Sequence, residues 1–83
     1  MKLKMATAHD AAKAVIAYLK SLDDTRDISV EQVQPAEKSN EWTVYISLAR
    51  TPIEPRSWKR FHLQEALDGK LEVKAMFDCV PLS

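Results

Sequence analysis

The side chains here that could perform acid–base, nucleophilic or metal chemistry are His9, His62, Cys79 and carboxylates scattered along the chain. General acid–base work needs titratable groups that converge on one reacting atom, and a thiol nucleophile needs a base close enough to generate thiolate. No spacing in the sequence matches either pattern. His62 can meet Glu72 or Asp78 across neighbouring strands, but a histidine beside a carboxylate on a sheet is commonly an ordinary surface pair. One cysteine and two distant histidines do not complete a tetrahedral zinc set. A chain with a single glycine has no glycine-rich loop to cradle phosphate. The expectation is therefore no catalytic residue, no metal and no cofactor, with a small-ligand or enzymatic role around His62 as an alternative.

A second constellation is basic and aromatic. Arg50, Arg56, Lys59 and Arg60 surround Trp58, the combination of cations and a stacking ring that single-stranded nucleic acid uses. Glu54 interrupts it, and twelve Lys and Arg balance twelve Asp and Glu over the chain, so no global field steers it toward a polyanion. A solvated loop and strand edge accounts for the cluster more simply. Nucleic-acid binding through Arg50, Arg56, Trp58, Lys59 and Arg60 stays as an alternative reading.

These side chains must be positioned by one small domain covering residues 1–83, with residues 1–6 expected to be disordered; eighty-three residues form a single modest core. The lone Cys79 forms no internal disulfide, and Met1-Lys2-Leu3-Lys4-Met5 lacks the apolar core of a secretory signal, which points to a reducing cytoplasm. Apolar stretches fall far short of the roughly 20 residues that cross a bilayer. No membrane partner is expected.

From Thr7 to about Leu22, Ala8, Ala11, Ala12, Val15, Ile16, Leu19 and Leu22 recur at intervals of three and four, which predicts one amphipathic helix. Thr7 is its N-cap, with Asp10 completing an imperfect capping box. Asp23, Asp24 and Asp27, around Thr25 and Arg26, prefer local side-chain bonds to helix and end it. The period then changes to two, through Ile28 and Val30, Trp42 to Leu48, Phe61 and Leu63, and Leu71 to Phe77. Four strands follow, with polar connections at Ala36 to Asn40 and at Thr51 to Arg56, which contains Pro52 and Pro55.

Asp68-Gly69 joins the last two strands. A two-residue loop would set Val73 opposite Gln64 and Phe77 opposite Arg60, mixing core with surface. A three-residue loop of Leu67, Asp68 and Gly69, with Gly69 left-handed in a bulge, sets Leu63 opposite Val73 and Phe61 opposite Ala75. On that register Trp42, Val44, Ile46, Phe61 and Leu63 face the helix. The other face carries Thr43, Tyr45, Ser47, Trp58, Arg60, His62 and Gln64 beside Glu72, Lys74, Met76 and Asp78; a strand that begins after Trp58, or bulges there, would instead turn its indole into the core. The fold class is α+β: one N-terminal helix on a four-stranded antiparallel meander, αββββ.

A helix followed by such a meander resembles cystatin-like and PepSY-type small domains over most of the chain. Cystatins bind proteases through a Gln-x-Val-x-Gly loop; Gln32-Val33-Gln34-Pro35-Ala36 departs from that pattern, so inhibition is not carried over. Trp42, Arg50-Thr51-Pro52 and Asp68-Gly69 are similar in order to the motifs of gas-vesicle accessory protein O, whereas Met76-Phe77-Asp78-Cys79 stands where that family closes with arginine and tyrosine. The resemblances imply shape and an accessory role rather than an activity.

The leading expectation is a non-catalytic cytoplasmic module that binds a protein partner, or a second copy of itself, through the outer sheet face or an edge strand. Its expected contact residues are Tyr45, Trp58, Arg60, His62, Lys74 and Met76, because large apolar groups are usually rationed on a face whose alternation calls for polar ones.

Overall fold

A computed structural model of the chain describes residues 7–23, 26–36 and 40–81. The element order is αββββ: helix α1 (Ala8–Ser21), then strands β1 (Asp27–Pro35), β2 (Glu41–Ala49), β3 (Ser57–Glu65) and β4 (Leu71–Cys79). All neighbouring strands pair antiparallel in the order β1-β2-β3-β4, so the α+β meander read from the sequence is the observed architecture. The expectation of disorder at residues 1–6 lies outside the described residues, as do Asp24, Thr25 and residues 37–39.

The helix begins in a complete capping box: Thr7 Oγ1 accepts from the Asp10 amide at 3.2 Å, and Asp10 Oδ2 accepts from the Thr7 amide at 3.1 Å. Two of the amide groups left over at a helix start are thereby satisfied. The helix ends with Leu22 as its C-cap, and Asp23 takes a left-handed φ of 59°, the conformation glycine usually supplies. Only Ala11, Val15 and Leu19, spaced by four, are buried; Ala8 and Leu22, counted on the apolar face by periodicity, are exposed at the two ends of the helix.

These three residues close over Trp42, Val44, Ile46, Leu48, Phe61 and Leu63 of the two central strands. Tyr18 adds an edge-on contact to Phe61, with ring centroids 6.1 Å apart. Phe61, Val44, Ile46 and Leu63 are completely buried, which at about 1.5–3 kcal/mol for each large side chain makes this cluster the principal driving force for folding. Among the described residues no helix is long and apolar enough to cross a membrane.

The β3–β4 turn has the three-residue loop. The Ala66 amide donates to the Lys70 carbonyl at 2.8 Å, the Gly69 amide donates to the Ala66 carbonyl at 2.9 Å, and Gly69 has a φ of 86°. Asp68 Oδ1 accepts from the Lys70 amide at 3.0 Å and stiffens the loop. Leu63 pairs with Val73 as expected.

Beyond that pair the register departs from expectation. A bulge at Lys74 inserts one residue, so His62 pairs with Ala75, Phe61 with Met76 and Arg60 with Phe77. Paired residues share a face, so Met76 turns to the helix side with Phe61, while Ala75 and Phe77 turn outward. The expected outer positions of Met76 and Asp78 and the expected pairing of Phe61 with Ala75 are therefore corrected. β1 contains a matching irregularity at Glu31, between Val30 and Gln32. Each edge strand thus carries one bulge at a charged residue, whereas the β2–β3 ladder between them is regular.

Candidate functional site

Three successive rows cross the face opposite the helix. Gln34, Thr43, His62 and Ala75 form one; Gln32, Tyr45, Arg60 and Phe77 the next; Ser29, Ser47, Trp58 and Cys79 the third. Their members come from all four strands, so the face is as rigid as the sheet beneath it.

The third row is partly covered. Ser47 is completely buried although it lies on the outer face, because Arg56 folds over it from the connection between β2 and β3. Arg56 Nε donates to Ser47 Oγ at 2.7 Å, and Ser47 Oγ donates to Glu31 Oε2 at 2.5 Å. The two Nη groups of Arg56 reach the carbonyls of Asp27 and Ser47 at 3.1 and 3.0 Å and the Asp27 carboxylate at 3.3 Å. Planar, many-donor guanidinium suits this multiple clasp, which ties β1, β2 and the 50–56 connection together.

This clasp removes Arg56 from the basic cluster that the sequence suggested. Lys59 is removed as well: its register partners are Ile46 and Asp78 on the helix side, and its Nζ donates to the Asp78 carboxylate. Arg50 stands apart in an exposed connection, where it lines a hollow with Asp27, Thr51 and Pro52. Only Arg60 and Trp58 of the five remain on the open face, and a single cation beside one ring makes no track for a phosphate backbone.

Trp58 pairs with Ser47 and Cys79 and is half-buried on the outer face, as its alternation predicts. Trp42 is core, 6% exposed.

His62 lies beside Glu41, with Nε2 3.4 Å from Oε1, and not beside Glu72 or Asp78. Glu72 instead accepts from Lys74 at 2.8 Å, and Asp78 is on the opposite face with Lys59. The sequence could not distinguish these carboxylates, because Glu41 approaches from the preceding strand and the Lys74 bulge displaces Asp78.

The middle of the face is open. Thr43, Tyr45, Arg60, His62, Ala75 and Phe77 line a shallow depression of about 340 Å³. The small Ala75 side chain leaves the space, and the larger groups make its rim. The Arg60 guanidinium lies over the Phe77 ring, 4.8 Å from its centroid, a cation–π contact that limits its freedom. Phe77 is 46% exposed. It was absent from the expected contact residues because strict alternation puts it in the core; only the bulge brings it out, and nothing in the Val73-Lys74-Ala75-Met76 run marks a bulge.

Of the expected contact residues, the structure brings Tyr45, Arg60 and His62 together and leaves Trp58 at the side of the same face. Lys74 is held by Glu72 near the β4 edge, and Met76 is on the other face. Among the described residues no cluster of three or more His, Cys, Asp or Glu side chains could hold a metal ion. No protein-family model, curated protein or solved structure matches the chain.

Proposed function

We propose that the chain is a non-catalytic cytoplasmic interaction module that binds a protein partner through the outer face of its sheet. The observation that carries this reading is the row of Tyr45, Arg60 and Phe77 across three strands, with an aromatic ring nearly half exposed and an arginine stacked on it. Tyrosine, other aromatics and arginine are enriched in the buried centres of protein interfaces. A rigid face that already holds its side chains in place loses less entropy when it is covered.

The outer face is a better candidate than either edge. Bulges interrupt regular pairing at Glu31 on β1 and at Lys74 on β4, and β1 ends in Pro35; all three discourage addition of another strand. Acid–base catalysis at His62 has less support, since a single histidine–carboxylate pair on a shallow face offers neither a second converging group nor exclusion of water.

Affinity capture from native lysate, followed by mass spectrometry, tests the reading. A protein retained by the wild-type chain should be lost with Phe77→Ala and with Trp58→Ala while both variants stay folded, with melting temperatures lowered far less than by a core substitution. Capture that is indifferent to both substitutions would exclude the outer face.

A further inference from the structure

One cation of the outer face, Arg60, has no carboxylate partner among the described residues. The ion pairs among the described residues are Arg56 with Asp27, Lys59 with Asp78 and Lys74 with Glu72, and the His62 ring lies against the Glu41 carboxylate. Arg60 takes part in none of them, and its contact is the Phe77 ring. The carboxylates that share its face are engaged: Glu31 by the Ser47 hydroxyl, Glu41 by His62 and Glu72 by Lys74.

Resting on the interaction reading above, we propose that the depression receives an aspartate or glutamate side chain from an acidic, partly apolar segment of a partner protein. The carboxylate meets the Arg60 guanidinium, and neighbouring apolar side chains cover Phe77 and Tyr45. Stacking holds the guanidinium plane in place, and a planar fork can give a carboxylate two parallel hydrogen bonds, which a lysine cannot. The Thr43 hydroxyl and the His62 ring, on the same rim, add polar groups beside it. Charge complementarity selects this occupant over a second copy packed face to face, whose carboxylates on that face already have partners within their own chain. It selects it over nucleic acid too, because one cation between two aromatic side chains offers no second phosphate contact in line with the first.

A display library of short random peptides, selected on the folded chain and counter-selected on Arg60→Ala, tests the proposal; Arg60→Gln takes its place should Arg60→Ala lower the melting temperature. Enriched peptides should share an Asp or Glu next to aliphatic or aromatic residues. Their affinity should fall roughly tenfold to a hundredfold in Arg60→Ala, with partial retention in Arg60→Lys. They should also shift the amide resonances of Thr43, His62 and Ala75.

Enrichment of acid-free peptides that require Phe77 would overturn the carboxylate while leaving the interaction face standing. Failure to enrich any Arg60-dependent peptide overturns the proposal by itself, and lysate capture decides the broader reading separately. Arg60-dependent binding of single-stranded oligonucleotide at low salt overturns it in favour of phosphate. Self-association that Arg60→Ala abolishes overturns it in favour of a second copy.

Discussion

Ser47 and Arg56 show how a residue's chemistry depends on what closes over it. A serine on an outward-facing position of a sheet is ordinarily solvated, yet Ser47 is inaccessible and both accepts from Arg56 and donates to Glu31. Replacing it with alanine removes one charge-assisted hydrogen bond from each neighbour. The expected cost of Ser47→Ala is about 1–3 kcal/mol, read as a lower denaturant midpoint with an unchanged slope. Arg56→Ala should cost at least as much and leave oligonucleotide binding no weaker, since its guanidinium is spent inside the fold. Sequence reading identified Arg56 as chemically notable but could not see its destination, because the acceptors come from Asp27 and Ser47, distant in the chain.

Among the elements, the β3–β4 hairpin separates what alternation can reveal from what it cannot. The loop was legible because Gly69 must take a positive φ, and the pairing of Leu63 with Val73 follows from its length. Gly69→Ala is expected to destabilise by roughly 1 kcal/mol or more, seen as a lower melting temperature, because a β-carbon is disfavoured at φ of 86°. Past Val73 the pattern becomes ambiguous: Ala75, Met76 and Phe77 are all apolar, so either parity presents an apolar residue to the core. Lys74 can form the bulge without any glycine to announce it. That one inserted residue exchanged Met76 for Phe77 on the outer face, and it is why Met76 was expected in the candidate site and Ala75 and Phe77 were not, while Tyr45, Arg60 and His62, on the regular central strands, were placed correctly.

For the molecule as a whole, a single helix covers a sheet whose two central strands contribute nearly all of the buried apolar side chains outside the helix. Such a core has little redundancy. Phe61 is fully buried and touches Tyr18, so Phe61→Ala is expected to cost about 3–5 kcal/mol. In a domain of this length that corresponds to a fall in melting temperature of very roughly 15 °C or more, measurable by circular dichroism. Phe77→Ala, on the uncovered side, should shift it far less. The contrast between two phenylalanines one strand apart is a direct check on which face is which.

The bulge at Lys74 also bears on how this chain could vary in length. Removing a residue from β2 or β3 would exchange inner and outer side chains from that point on. Removing Lys74 leaves Ala75 opposite His62 and Phe77 opposite Arg60, because the ladder already passes over it. Related chains should therefore gain or lose single residues at Lys74 and Glu31, in the two edge strands, and keep constant spacing from Glu41 to Ala49 and from Ser57 to Glu65.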